Sequence, residues 1–200
     1  MGGSPGERCA QRIVVGEARE LPEWLVDGMF RLRHTVFYER LQWDVDSVRG
    51  RERDSYDDCD PVYVIGYAED RQEVTGCCRL LPTVGPYMLR DVFSEALRGG
   101  QAPCDPAVWE LSRLATAGAW SHKATVGFGP LARALLREAF RWVDRRGDTV
   151  VAVSSLAVER SVNAMGVATR RFGDGGATRL GSLLCSAYTT STRDFLEKVG

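Results

Sequence analysis

The sequence has only two histidines, His34 and His122, and its six cysteines, at 9, 59, 77, 78, 104 and 185, include no Cys-x-x-Cys pair. Such spacings exclude the usual zinc sites, and no nucleophile motif accompanies either histidine, which excludes a serine or cysteine hydrolase. No metal is expected. Long apolar runs are also absent, so no segment reaches the length needed to span a bilayer. Met1 to Gln11 is polar where a secretory leader needs an apolar stretch, and Gly6 stands where a myristoylation signal needs Ser or Thr. The expectation is cytoplasmic residence, with reduced thiols packed as small apolar side chains. Nor is there an excess of charge. The 26 basic and 27 acidic residues leave a net charge of -1, which argues against a nucleic-acid or membrane-surface partner and makes any charged docking site local.

What is present is a chain of 200 residues, 44% of them apolar, enough for one full core. We read a single domain over 1–200 with a loose tail to about residue 10. The pattern predicts a strand at Arg12 to Val15 and a helix from Pro22 to Phe37 with Leu25, Met29, Leu32 and Val36 along one side. Leu41 to Asp60 reads as an ordered binding loop, polar with isolated aromatics. Val62 to Ala68 and Val74 to Leu81 form a hairpin, with Cys77 and Cys78 on opposite faces. A short helix is expected over Leu89 to Leu97 and a strand over Val108 to Leu114. Pro130 opens a helix to about Arg146 that buries Leu131, Leu135, Ala139 and Val143, and Gly147 ends it. A central strand at Thr149 to Ser155, a short helix to Ala164, strands near Thr169 and Leu183, and a closing helix capped by Ser191 complete the chain. The order implies an α/β fold, a mixed sheet between helical layers.

Several charged residues stand inside apolar strands: Arg79 in Gly-Cys-Cys-Arg-Leu-Leu-Pro, then Glu110 and Arg113 in Val-Trp-Glu-Leu-Ser-Arg-Leu. Buried charges need partners. Strict alternation puts Glu110, Ser112 and Leu114 on one face and Leu111 with Arg113 on the other, so Glu110 and Arg113 need not pair directly. From spacing alone, ordinary salt bridges on a half-exposed strand explain these residues equally well.

Six motifs narrow the choice: Leu-Arg-His-Thr-Val-Phe at 32–37, Glu-Arg-Leu-Gln-Trp at 39–43, Glu-x-Asp-x-x-Asp at 52–57, Cys-Arg-Leu-Leu-Pro at 78–82, Gly-Pro-Tyr-Met-Leu at 85–89 and Trp-Glu-Leu-Ser-Arg at 109–113. Through them the chain resembles the acyl-homoserine-lactone synthases, or autoinducer synthases. The family's characteristic residues fall on Arg33, Phe37, Trp43, Asp54, Asp57, Arg79, Phe93, Glu110 and Arg113. Two positions depart: the family usually has Gly where Gln42 stands and often Phe where Leu114 stands, differences expected to alter pocket shape more than chemistry. The resemblance implies a three-layer α/β/α sandwich similar to the Gcn5-related N-acetyltransferases. It also implies an acyltransferase that links a thioester-borne acyl chain to the amine of S-adenosylmethionine and then closes the lactone, releasing methylthioadenosine.

That chemistry assigns roles. S-adenosylmethionine carries a sulfonium, an amine and a carboxylate, so Arg33, Phe37, Trp43, Asp54, Asp57 and Phe93 are its expected contacts. It is a substrate, and no cofactor is expected. Glu110 is the candidate base for the amine, with Arg79, Arg113 and Asp54 beside it. A bulge in the Glu110 strand would supply N–H groups to the tetrahedral intermediate, although none is visible in the sequence.

For the donor, Gly127 and Gly129 in Val-Gly-Phe-Gly-Pro precede a helix whose N-terminus can hold a phosphate, although Ala124 stands where the acetyltransferase loop wants Gln or Arg. Arg133, Arg137, Arg141 and Arg145 form a basic stripe that suits an acidic acyl-carrier protein, with acyl-CoA the other donor; a solvated helix face is the bland reading. Makers of 3-oxo chains in the family tend to carry Thr where Ala152 stands, which implies a chain unsubstituted at carbon 3. Ser112, Ser154 and Ser155 lie near enough to substitute as donors. The competing readings are a coenzyme-A-dependent N-acyltransferase of related fold, which predicts a complete phosphate loop, and a non-catalytic binding module, which leaves Glu110 without purpose.

Overall fold

A computed structural model of the chain describes residues 11–118 and 128–200. Cys9, His122, Ala124 and Gly127 lie outside them. In chain order the elements are β1 (Gln11–Glu17), α1 (Glu23–Arg33), β2 (Ser47–Val48), β3 (Arg51–Glu52), β4 (Val62–Ala68), β5 (Glu73–Pro82), α2 (Met88–Asp91) and β6 (Val108–Thr116). They continue with α3 (Pro130–Asp144), β7 (Thr149–Ser155), α4 (Leu156–Asn163), β8 (Arg170–Arg171), β9 (Thr178–Leu180), β10 (Leu183–Ser191) and α5 (Thr192–Val199). The main sheet runs β1-β4-β5-β6-β7-β10-β8, with β9 also on β10.

Alternation along the hairpin decides the two cores. Tyr63, Ile65, Val74 and Cys77 meet Leu25, Met29 and Leu32 of α1 on one face, and Val36 just beyond it. Val62, Val64, Cys78 and Leu80 meet Leu135, Ala139 and Val143 of α3 on the other, with Val162 of α4 and Phe195 of α5. The expected three-layer sandwich and the opposed faces of Cys77 and Cys78 are therefore present. A third core, with Leu81, Tyr87, Leu89 and Val151, backs the site. Gly147 follows α3 because a Cβ there would lie 2.1 Å from the Ala107 carbonyl oxygen. Ser191 caps α5 as expected, accepting from the Asp194 N–H at 3.4 Å.

Three local expectations change. The helix begun by α1 does not stop at Phe37 but widens into π-helical turns over His34–Arg40, marked by the Leu41 N–H bonded to the Val36 oxygen at 3.0 Å. The expected helix over Leu89 to Leu97 is one turn, α2, and a separate tight turn at Ser94–Leu97, because Phe93 between them leaves helical geometry with ψ 29°. The thiols do not all pack inside: Cys77, Cys78 and Cys185 are buried, Cys59 is intermediate and Cys104 is exposed.

One feature of the sheet positions the site. Every neighbouring pair is antiparallel except β6 and β7, which run parallel and pair only at Val108–Thr149, Trp109–Val150 and Glu110–Val151. Beyond Glu110 and Val151 the two strands part. Among the described residues no helix is long and apolar enough to cross a membrane.

Candidate active site

The centre of the site is an alternating cluster of three guanidinium groups and three carboxylates between the π-helical end of α1, the β2–β3 ribbon and the β5–β6 pair. Arg33 donates through Nε to Glu52 at 2.5 Å and grips Asp57 with both Nη atoms at 2.8 and 2.9 Å. Arg79 holds Asp54 with two bonds of 2.5 and 3.1 Å and reaches Asp57 at 2.9 Å. Arg113 bridges Glu52 at 3.1 Å and Asp54 at 2.8 Å. Arg33, Arg79 and Glu52 are wholly buried, so the desolvation of each charge must be offset by these charge-assisted bonds. Burial alone would raise the Asp57 carboxyl; the Arg33 bonds and the charges of Arg33 and Arg79 outweigh it and hold the group well below the usual carboxylate range.

Accessibility divides the cluster. Arg33 and Asp57 have their polar atoms engaged inside the protein, Asp57 also accepting from the Tyr63 hydroxyl at 2.9 Å and the Asp54 N–H at 2.9 Å. They form the frame. Asp54 keeps 14% of its side chain exposed and Arg113 keeps 8%. Glu52 is the residue that the motif contains and the role assignment passed over; its place in Glu-x-Asp-x-x-Asp was the available signal. Met88 was also missed: its sulfur accepts from Arg79 at 3.1 Å and Arg113 at 3.4 Å.

Glu110 stands on β6 at the last position paired to β7, with 2% of its surface exposed. Its oxygens accept the Met88 N–H at 2.9 Å and the Leu89 N–H at 2.6 Å, so it also caps the first turn of α2. Burial raises its carboxyl above the ordinary glutamate value, against the pull of those two N–H groups and of Arg79 and Arg113. A buried carboxyl moved toward neutrality suits a base.

The bulge that the chemistry called for is there. Pairing of β5 with β6 slips between Cys77–Ala115 and Arg79–Ser112, and Arg113 takes a left-handed φ of 54°. The expected alternation therefore fails: Leu111 packs under α3, but Arg113 turns to the face of Arg79 and Ser112, and Leu114 joins Leu111. Nothing in the sequence announces a left-handed arginine.

Phe37 and Trp43 stack with centroids 5.1 Å apart, and the Arg113 guanidinium lies 5.5 Å from the Phe37 centroid. Trp43 is positioned by its N–H bond to the Phe37 oxygen at 2.9 Å, across Gln42 with φ 51°. Gln42 thus occupies the left-handed position after a helix end, where glycine carries no Cβ penalty. The departure from the family's Gly concerns the backbone rather than pocket shape. Gln42→Gly is expected to stabilise the fold by about 0.5–1 kcal/mol, the left-handed penalty less the added freedom of the unfolded chain, with binding unchanged. Chemical denaturation that shows the variant less stable would refute this account. Phe93 packs against the third core, as does Tyr56, whose ring is 5.7 Å from the Arg79 guanidinium.

The residues expected to meet the acyl chain and donor are not gathered in one place. Ser112 accepts from Arg79 Nε at 3.1 Å, within the charged cluster. Ser155 caps α4, accepting from the Val158 N–H at 3.4 Å. Ala152 and Ser154 line β7 where it has left β6. Gly129 is the cap residue of α3, with Pro130 in its first turn. Along α3, Arg133 donates to the Phe128 oxygen at 3.2 Å, Arg141 pairs with Glu138 at 2.8 Å, and Arg137 lies 3.9 Å from the same carboxylate. Glu138 therefore neutralises part of the stripe. Arg133, Arg137 and Lys198 also line a cavity of about 420 Å³ with Ala164 and Met165.

Residues 18–194 match the family model described as autoinducer synthase. The chain is 37% identical over 164 residues to an acyl-homoserine-lactone synthase of Pseudomonas aeruginosa, covering 80% of each. It superimposes with TM-score 0.81 and 27% identity on the CoA-dependent acyl-homoserine lactone synthase BjaI, solved with SAM and isopentyl-CoA, covering 95% of this chain and 88% of that one. A putative N-acetyltransferase from Lactobacillus plantarum, at TM-score 0.60 and 17% identity over 92% of this chain and 99% of that one, shares the fold alone.

Proposed function

The chain belongs to the autoinducer synthase family and makes acyl-homoserine lactones, the signals of quorum sensing, and we propose that it does so by joining S-adenosylmethionine to a thioester-linked acyl chain beside Glu110. The observation that carries this reading is the place of Glu110: a buried carboxylate at the last β6–β7 pair, between the charged cluster and the opening that begins there. Asp54, Arg113 and the Phe37–Trp43 stack are the parts of the cluster a cationic amino acid can reach, while Arg33, Glu52 and Asp57 hold them in place. Arg79 fixes Asp54.

Glu110 takes the proton of the amine, directly or through one water, as nitrogen bonds to the thioester carbonyl. Backbone N–H groups at the Arg113 bulge are candidate donors to the oxyanion. The carbon–sulfur bond then breaks and the thiol leaves with a proton. In the second step a carboxylate oxygen of the bound methionyl group attacks the carbon next to the sulfonium, closing the ring and expelling neutral methylthioadenosine. Holding the chain bent supplies most of that advantage. S-adenosylmethionine is consumed, so the reading calls for no cofactor.

An acyl-carrier protein is the proposed donor, docking on Arg133, Arg137, Arg141 and Arg145. The cavity at Arg133, Arg137 and Lys198 favours a second reading, acyl-CoA, whose phosphates such a cavity would suit, and the BjaI complex supports it. The acyl chain is proposed to be unsubstituted at carbon 3. In support, Ala152 brings no donor, Ser155 caps α4, and Ser154 is engaged with the Ser155 oxygen at 3.2 Å.

The test is methylthioadenosine release by purified protein given carrier-linked or CoA-linked donors, each with and without a 3-oxo group. Wild type should prefer the unsubstituted carrier-linked donor. At low salt, Arg141→Glu with Arg145→Glu should raise KM for that donor by about tenfold and leave KM for S-adenosylmethionine unchanged, since exposed charge acts on encounter. Equal kinetics for the double variant would make the stripe a solvated face, and a preference for the CoA-linked donor would favour the second reading.

A further inference from the structure

We propose that His34 is a positioning residue for S-adenosylmethionine, setting the spacing between the aromatic and the carboxylate halves of its site, an inference that rests on reading the charged cluster and the Phe37–Trp43 stack as that site. The two halves come from separate segments. Phe37, with Trp43 bonded to its carbonyl oxygen, belongs to the π-helical end of α1, whereas Asp54 follows the β2–β3 ribbon, whose Glu52 also holds Arg113. They meet where the Arg113 guanidinium lies 5.5 Å from the Phe37 centroid. His34 begins the π-helical segment and touches the ribbon.

The contact is one hydroxyl. Ser47 Oγ lies 2.6 Å from His34 Nδ1 and 3.2 Å from the Arg51 carbonyl oxygen, so it joins the ring to both strands of the ribbon. A Cβ at Gly50 would lie 4.0 Å from His34 Cδ2, which puts the ring beside the ribbon's turn as well. The ribbon has two residue pairs, Ser47–Glu52 and Val48–Arg51, too few to hold a position without ties to the rest of the fold. Arg33 and Asp27 of α1 grip Glu52 and Arg51 on β3, and His34 grips Ser47 on β2. The ring is itself held, since Nε2 lies 3.2 Å from Glu39 Oε1 and the ring stacks on Tyr38 with centroids 5.1 Å apart.

Ser47 is the direct partner of Glu52, so the His34 bond acts one ladder step from the carboxylate that receives Arg33 and Arg113. With that bond gone, β2 is free to swing and the ribbon shifts with it, which moves Asp54 and Arg113 relative to the aromatic stack. Glu110 is held separately, by the N–H groups of Met88 and Leu89, so binding of the cationic amino acid suffers before proton transfer does.

The experiment measures initial rates of methylthioadenosine release by purified protein, with S-adenosylmethionine and the acyl donor varied in turn. His34→Ala and Ser47→Ala should each raise KM for S-adenosylmethionine about fivefold, the loss of one hydrogen bond, while kcat and KM for the donor stay within about twofold of wild type. The double variant should be no worse than either single one, because both substitutions break the same bond. His34→Asn, whose amide reaches the place of Nδ1, should recover most of the KM; His34→Gln, whose amide reaches the place of Nε2, should not. If His34→Ala fails to fold, Ser47→Ala and the Asn and Gln variants carry the test. An unchanged KM in the folded variants, additive effects in the double variant, or equal recovery by Asn and Gln would overturn the inference while the site itself stood. Wild type that releases no methylthioadenosine with any donor would instead sink the reading of the site, and the inference with it.

Discussion

Glu110→Gln lowers acyl transfer by about 10²–10⁴-fold while the chain remains folded, the range for loss of a general base. The amide keeps the size of the carboxylate and can still accept one of the bonds from Met88 and Leu89, but its NH2 group meets the other N–H donor to donor. Some loosening of α2 follows, costing on the order of 1–3 kcal/mol for an unsatisfied buried N–H. The pH profile separates chemistry from that loosening. Only ionised Glu110 accepts a proton, and burial raises its carboxyl despite the opposing bonds from Met88 and Leu89, so kcat/KM in wild type should rise with pH through an acid limb above the ordinary glutamate value. The limb should vanish from the residual activity of the glutamine variant. A variant with near-normal turnover of S-adenosylmethionine, or one that retains the limb, removes Glu110 from the role.

The largest stability effect is expected at Arg33. Arg33→Met deletes the three bonds to Glu52 and Asp57 and leaves both carboxylates short of a buried partner. Breaking a buried pair in this way costs about 3–5 kcal/mol, roughly 6–20 °C in Tm for a domain of this size. Arg33→Lys keeps the charge but not the two-pronged grip and should fall between. The pH dependence has a definite sign. Asp57 is depressed in the folded state, so its contribution is complete above the unfolded value near pH 4 and is lost as pH falls through the lower folded one. The gap between wild type and Arg33→Met should therefore be full at pH 7 and narrow in acid. A Tm within about 2 °C of wild type at pH 7 would show that Arg79, Arg113 and Tyr63 suffice as partners.

How far the sequence could be read depended on whether a feature was local. The hairpin, the opposed Cys77 and Cys78, the buried side of α3 and the Ser191 cap follow from alternation, helical period and one hydroxyl, and all are present. The bulge at Arg113 was expected from the chemistry and invisible in the residues, because its mark is a left-handed backbone at an arginine. Gln42 is the opposite case, since a family Gly at that position already hinted at positive φ. Arg33 and Asp57 were named as substrate contacts, yet their donors and acceptors meet inside the protein, which depends on the fold rather than on spacing.

The short β6–β7 seam also bears on how the chain assembles. On one side, β1, β4, β5 and β6 pair antiparallel, largely through neighbours in sequence; on the other, β7 and β10 do the same with β8 and β9. Within the sheet three residue pairs join the two halves, and they are parallel, so they need the crossover through α3. A parallel seam of this kind pairs residues far apart in sequence, so its closure carries a large loop-closure cost. Because Glu110 and Val151 form the last of those pairs, the place of the catalytic carboxylate depends on the seam, and a change that opened it would displace Glu110 while leaving most of the secondary structure intact.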